Sequence, residues 1–498
     1  MKHRRAKSRV LIALVVFTYS LITLSAAQKK LPSEHVPAGI ARGKIAPAGH
    51  LAGTNELRLA IGLPLHHADA LTNLLREIYD PASPQFHHYL TPAEFTARFG
   101  PTPEEYAAVA RFAKENGFKV VGTHPNRQLL DVVAKAADVE RAFHVRLNTF
   151  KHPKENRNFF APDTEPSVDA SLPVLHISGL DNFYVPHPNV TVRPAVADSK
   201  ATPQGGSGPG SGYIGADFRK AYIPETQLTG AGQNIGLLQF DGFYRVDMTN
   251  YASTIGLARM PQIIVVPIDG GVATPGAGVV EVSLDIEMAM AMAPGVSNIY
   301  VYEAPNPSPW VDLLGQMADD NLARQLSCSW GGGGPHAAAE QIFQQMAAQG
   351  QTFFNATGDS DAFTGAILFP SESPNITQVG GTSLTTDGNG NYTNETVWNQ
   401  GNGQGSSGGI STTVPIPDWQ TNIDMTTNQG STTMRNVPDV ALTAQNIYLI
   451  YGNGSSGMAS GTSCSAPLWA GFIALLNEQA ATASKPPAGF INPAVYAL

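Results

Sequence analysis

The hydrophobic pattern changes character along the chain. Between residues 51 and 186, strand-like alternation and helix-like spacing take turns. Glu56–Leu65 starts by alternating as a half-buried strand does, and His67–Tyr79 carries apolar residues at helical intervals. Thr102-Pro103-Glu104-Glu105 supplies an N-cap, a first-turn proline and acids at the positive end of a helix dipole. Phe118–Val121 and Leu129–Ala134 read as strands, and Asp138–Phe143 as a short helix before a further strand. This order predicts a small α+β domain. From Tyr213 onward, buried strand-like runs such as Asn234–Phe240 and Gln262–Val266 alternate with helical segments. That is the pattern of a doubly wound α/β domain on a mainly parallel sheet. Between the two, Asn189–Gly212 holds Pro194, Pro203, Pro209 and a run of Gly, Ser and Pro, which predicts an exposed, cleavable linker. Residues 28–50 are polar and irregular, and the Gly/Ser/Asn-rich stretches 385–413 and 452–461 read as loops.

The first 27 residues are set apart by a different pattern. Lys2, Arg4, Arg5, Lys7 and Arg9 precede an apolar stretch from Val10 to Leu24, and Ser25-Ala26-Ala27 offers small residues at a cleavage site. This is the layout of a signal peptide, with an apolar stretch short for a membrane span. No later segment runs to about 18 apolar residues, so no stable membrane association is expected of the mature chain. Charge divides unevenly too. Residues 212–498 hold seven basic and 22 acidic side chains, a net charge of −15, whereas residues 28–211 are close to neutral at +1. Twelve of the 13 histidines lie at or before His187, leaving His336 alone in the acidic part. Acidification therefore charges one part and discharges the other. An acidic C-terminal part gives no reason to expect a nucleic-acid partner. Cys328 and Cys464 sit in no spaced metal motif and are either one disulfide or two buried thiols.

Candidate chemistry sits in the acidic part. Ser463 lies in Ser460-Gly461-Thr462-Ser463-Cys464-Ser465-Ala466-Pro467, ahead of the apolar helical run Leu468–Leu476. A serine at such a helix start has its hydroxyl where developing negative charge is favoured, although an N-cap has the same appearance. A nucleophile needs a base, and a Ser-His-Asp arrangement would have to recruit His336. Glu281 and Asp285, four apart in a helix-like and largely apolar stretch, are better placed on one face. Two such carboxyls raise each other's proton affinity and can take a serine proton in acid, where histidine is already charged. Glu287 falls outside that spacing and reads as structural. Asp359, in Gly358-Asp359-Ser360 after a strand-like run, is either a turn residue or a protonated donor to an oxyanion.

Taken together and in order, these motifs resemble the sedolisin family of serine-carboxyl peptidases, kumamolisin-like, over nearly the whole chain. The resemblance rests on Glu281 and Asp285 with Ala293-Pro294-Gly295, on Ser329-Trp330-Gly331, on Gly358-Asp359-Ser360 and on Gly461-Thr462-Ser463. Upstream, Ser83-Pro84-Gln85-Phe86-His87-His88-Tyr89 is similar to the family's activation-domain signature. Between the signal peptide read over 1–27 and the linker read over 187–212, the resemblance implies a ferredoxin-like activation prodomain over 50–186. Beyond the linker it implies a subtilisin-like catalytic domain over 213–498. It implies Ser463 as nucleophile, Glu281 as base, Asp285 tuning it and Asp359 in the oxyanion hole, with Trp330, Gly331 and Gly332 lining the substrate cleft. It further implies a secreted zymogen whose partners are protein or peptide substrates and its own prodomain, freed by acid-triggered self-cleavage in the linker.

Two departures stand out. Kumamolisin-like relatives carry an extra acid at the end of the first core strand, where this chain has Gln239. The family's calcium loop follows a segment like Gly489-Phe490-Ile491-Asn492-Pro493, so its ligands are expected beyond Leu498, with no metal or other cofactor within this chain. The alternative reading is a catalytically inactive, secreted sedolisin-like binding protein.

Overall fold

The computed structural model describes residues 27–194 and 205–498, apart from Ser33, Pro335, Leu368, Gly388 and Asn402. Almost all of the leader-like segment and the middle of the linker therefore lie outside the described residues. In the N-terminal part, strands Lys119–Thr123, Leu129–Lys135, Glu56–Gly62 and His176–Ser178 form an antiparallel sheet in that spatial order. Helices Ala68–Tyr79, Pro92–Phe99, Pro103–Glu115 and Ala136–Phe143 accompany it. Thr102 caps its helix as its sequence demands: Oγ1 accepts from Glu105 N–H while the Glu105 carboxylate accepts from Thr102 N–H. The domain has its own core, with Leu59, Ile61, Val109, Leu130, Val132 and Phe143 all buried.

The C-terminal part is built on an eight-stranded sheet. Its path runs Gln262–Pro267, Asn298–Glu303, Asn234–Gln239, Gln325–Cys328, Thr352–Ala356, Thr377–Thr386 and Tyr392–Val397, with Val440–Thr443 beside Thr377–Thr386. Every pairing in it is parallel except the last hairpin. This is the subtilisin-like fold, preceded by an antiparallel, ferredoxin-like domain. Strands buried on both faces explain the continuous apolar runs in the sequence.

Two helices against this sheet matter most. Val279–Met292 is buried from Glu281 onward, and Thr462–Thr482 packs against it. Gly471 permits the contact, because a Cβ there would stand 2.7 Å from the Cβ of Met292. The stretches read as loops contain ladders instead: Tyr392–Val397, Asn399–Gly401, Gln404–Pro415 and Ser455–Ser460 are strands. Much of the first three is exposed, so they lack the apolar alternation that signals a strand. Ser455–Ser460, mostly small residues around the buried Met458, is paired on both sides, by Thr191–Pro194 and Ile447–Tyr451. A Cβ on its Gly457 would come within 2.9 Å of the Arg193 carbonyl oxygen. The linker is likewise less exposed than its composition predicts, since His187–Pro188 and Thr191–Pro194 are strands laid on the C-terminal domain.

Gly471→Val is expected to force the two buried helices apart and to cost about 2 kcal/mol, as overpacked cores do. Thermal unfolding followed by circular dichroism checks this, and an unchanged Tm would show that the contact can yield.

Candidate active site

Sheet and helices bring four of the sequence-selected residues to one place. Ser463 is the second residue of the helix Thr462–Thr482, and its Oγ donates to Glu281 Oε2 at 3.0 Å. Both side chains are fully buried. Asp285, one turn further along its helix, accepts from Ser329 Oγ at Oδ1 (2.6 Å) and from Gln239 Nε2 at Oδ2 (2.6 Å). Gln239 in turn accepts from the Trp330 indole N–H at 2.8 Å. The amide at position 239 thus spans Asp285 and Trp330, giving one a donor and the other an acceptor. Ser329 also donates to the Ser463 carbonyl oxygen at 3.3 Å, tying the Asp285 side of the site to the nucleophile's backbone.

Asp359 approaches from the end of strand Thr352–Ala356. Its Oδ1 accepts from Thr462 N–H (2.8 Å) and Thr462 Oγ1 (2.9 Å), which fixes the carboxyl against the helix start. Its Oδ2 is buried without a partner, as is Oε1 of Glu281. Unpartnered buried carboxyl oxygens are costly unless protonated or awaiting a ligand. Burial pushes the Asp359 carboxyl up to about 7, and burial does the same to Asp285. Glu281 is raised well above its ordinary value, first by burial and then by the charge of Asp285. Glu287 stands apart: its carboxylate accepts the Ile450 N–H at 3.1 and 3.2 Å and holds a neighbouring strand.

The site is not empty of protein. The segment from His187 runs antiparallel to Ser329–Gly331 on one side of Ser463, with His187 opposite Gly331 and Pro188 opposite Trp330. Beyond Val190 it pairs with Ser455–Ser460 on the other side. Between the two ladders, the Asn189 carbonyl oxygen accepts from Ser463 Oγ at 2.5 Å. A side chain at Gly461 would collide with that oxygen and stand 2.7 Å from Asp359 Oδ2, so this glycine clears the space between carbonyl and carboxyl. Gly331 and Gly332 do the same for the incoming strand: a Cβ on Gly331 would lie 3.0 Å from Asn189 Nδ2, and one on Gly332, at φ 93°, 2.5 Å from the His187 ring. Trp330 floors a cavity of about 470 Å³ that also receives Pro188.

His336 is engaged elsewhere, its Nε2 meeting Ser178 Oγ of the N-terminal domain at 2.8 Å. Cys328 and Cys464 are both free and buried, the second of the two earlier alternatives. Among the described residues no group of three or more His, Cys, Asp or Glu side chains is arranged to hold a metal ion, and no step below depends on one. Ser329 and Asn189 were not singled out for the site by their sequence context. Ser329 lay within a recognised motif, while nothing local marks Asn189.

Residues 44–183 match the family described as "Pro-kumamolisin, activation domain", and residues 289–488 match the "Subtilase family". That pairing defines a serine-type peptidase with an activation domain attached to it. Over nearly its whole length the chain is similar to serine-carboxyl peptidases of the sedolisin family, kumamolisin among them. It is 29% identical to kumamolisin of Bacillus sp. (strain MN-32), over 94% of this chain and 89% of that protein. Sedolisin of Pseudomonas sp. (strain 101) is 28% identical over 92% of this chain and 82% of its own length. Among solved structures, Pseudomonas sedolisin, a serine-carboxyl proteinase complexed with two molecules of pseudo-iodotyrostatin, aligns with a TM-score of 0.50 at 27% identity. That alignment covers 57% of this chain and 84% of the other.

A carboxyl raised by folding stabilises the native state fully below its unfolded value, and that contribution is lost as pH rises through the folded value. Asp359 should follow this course between about pH 4 and 7. Asp359→Asn can keep both Thr462 hydrogen bonds and cannot ionise. Its stability relative to the native chain is therefore expected to grow by a few kcal/mol from pH 4.5 to 7.5. Urea midpoints at the two pH values measure this, and a constant difference would show that Asp359 ionises without penalty.

Proposed function

We propose that this protein is a secreted serine-carboxyl endopeptidase that works in acid and is made as a zymogen which cuts its own linker. The observation that carries the reading is the strand through the site, with a peptide carbonyl oxygen 2.5 Å from a hydroxyl that also contacts a buried carboxylate. A substrate carbonyl must come to this same hydroxyl, which for attack turns its proton to Glu281 and a lone pair to the carbonyl carbon.

In this reading Ser463 attacks the carbonyl carbon while Glu281 Oε2 takes the hydroxyl proton, later returning it to the leaving amine. The oxyanion that forms meets two donors. One is the Ser463 N–H, which at the second position of its helix has no partner four residues back. The other is a protonated Asp359, whose free Oδ2 lies beside the space that Gly461 keeps clear. Asp285 is a positioning residue, oriented by Ser329 and Gln239. Acidity enters through charge. Below about pH 7, Asp285 and Asp359 carry protons, and the like charges that oppose ionisation of Glu281 disappear. Burial, the larger cause, still favours a proton on Glu281, so in this reading the Glu281–Asp285 pair must give up one proton for Glu281 to act as base. Activity is lost as pH rises through about 7, because Asp359 can no longer donate.

The segment that reveals the site is also its first substrate. Asn189 occupies the position of the acyl residue and Val190 that of the leaving amine. Export by a leader at residues 1–27 accords with the sequence pattern there.

Purified precursor incubated between about pH 3 and 7 is expected to shorten by cleavage at Asn189–Val190 and to digest a denatured protein, with both processes absent in Ser463→Ala. Asp359→Ala should lower kcat about 100-fold or more, the usual loss for an oxyanion donor. N-terminal sequencing of the product identifies the bond. A folded precursor that does neither at any pH would leave a binding protein in place of an enzyme.

A further inference from the structure

Three histidine rings lie in a row where the activation domain meets the peptidase, the first two stacked and the third tilted at 44°. His35, from the segment ahead of the activation domain, stacks on His176 with centroids 4.4 Å apart and planes at 22°. His176, in the strand His176–Ser178, lies 4.1 Å from His336, the lone histidine of the acidic domain and the N-cap of helix Ala337–Ala348. The ring nitrogens are engaged differently in the three histidines. His35 Nε2 accepts the Ile177 N–H at 3.1 Å, so a proton there would break that bond. His336 Nε2 meets Ser178 Oγ, and its buried Nδ1 has no partner. His176 Nδ1 lies 3.3 Å from Glu34 Oε2 without the alignment of a hydrogen bond.

Among the groups facing the stack, Glu165 is a lasting counter-charge for His35. Although burial raises its carboxyl, hydrogen bonds from His35 outweigh that and hold it below the ordinary value. The Nδ1 atoms of His176 and His336 have no hydrogen-bond partner. Glu165 pairs with His35 Nδ1 at 3.0 Å, and Glu34 spends its Oε2 on the Ala337 N–H at 3.1 Å. Glu372 and Asp181 line the adjoining cavity, Arg157 acts on Asp181, and Glu340 lies on the His336 helix. Burial raises Asp181 to about 6 and Glu340 to about 7, so both lose charge early on acidification. The cavity, about 310 Å³, brings solvent to the rings.

Resting on the zymogen reading above, we propose that the His35–His176–His336 stack is the precursor's acid sensor, and that protonating rings split across the interface unseats the activation domain from the peptidase. Like charges at ring-stacking distance repel, and two of the rings leave with one domain while the third stays with the other. The sign agrees with the burial of His176 and His336, which pushes both well below the usual imidazole value. A group depressed in the docked state supports docking above its free value and withdraws that support as pH falls below about 6.5. His124 shows the contrast at the same interface. Despite burial, Asp131 and Asp319 hold it up to about 9, so it stays charged throughout this range and does not switch.

The test separates docking from catalysis. In a Ser463→Ala precursor, hydrogen exchange corrected for intrinsic pH dependence should show residues 176–178 and 337–341 losing protection between pH 7 and 5. With His176→Phe, which keeps a ring but cannot take a proton, protection should persist at pH 5, and His336→Gln should likewise weaken the transition. Circular dichroism at pH 7.5 confirms that each variant folds, and if one does not, the other gives the reading. In precursor with Ser463 intact, His176→Phe should lower the self-cleavage midpoint by roughly one pH unit while the processed enzyme keeps the native pH profile. Opening at the same pH with and without the rings would overturn the sensor. Absence of cleavage at every pH would overturn the peptidase reading and leave the exchange result standing.

Discussion

Much of this molecule follows from burying carboxyl groups in an apolar helix. Val279–Met292 carries Glu281, Asp285 and Glu287 through the core with no exposure, and Asp359 joins two of them at the start of the facing helix. What acts on these four is burial, mutual charge and hydrogen bonds from serine, threonine, glutamine and backbone groups. Ionised side by side they would be prohibitively placed; with most of them protonated they form a compact donor and acceptor set. In the proposed function this ties the chemistry to acid, and the surrounding structure can be read as ways of making that burial possible. Gly471 lets the two helices close on one another, and Ser329, Gln239 and Thr462 satisfy the carboxyl oxygens that face inward.

The same constraint decides how much could be read from the chain. In the parallel sheet, Gln325–Cys328 and Thr377–Thr386 hold too many polar and small residues to register, whereas the strands at 234–239, 262–267 and 352–356 were legible as apolar runs. Glu281 and Asp285 were legible for the opposite reason, as charged residues four apart where everything around them was apolar. Gln239 showed only as a departure from a resemblance, and its span from Asp285 to Trp330 needed the sheet to bring strands 234–239 and 325–328 together. The strands at 392–415 and 455–460 were invisible to periodicity. One group is half in water, and the other has a single large apolar residue, Met458, among serines, glycine and alanine. The placement of Asn189 was hidden altogether, because it depends on two ladders made with residues more than a hundred positions away.

The two halves of the chain use titration in contrasting ways. In the peptidase, burial holds protons on acids; at the domain interface, burial keeps protons off histidines. Both arrangements favour neutral groups, and both come under strain on one side of a pH range. The uneven sharing of histidine noted in the sequence thus acquires a place in the fold: one ring of the stack belongs to the acidic domain, and it is the only one that domain has.

The strand Ser455–Ser460 has a neighbour on each side only while Thr191–Pro194 is in place. Once that neighbour departs, an interior strand becomes a margin, with a row of main-chain donors and acceptors turned to solvent beside Ser463. A margin of this kind grips any extended chain by its backbone, whatever its side chains. Selectivity on that flank would then come from how readily a polypeptide can be drawn out straight, so that unfolded proteins are taken and compact ones pass by.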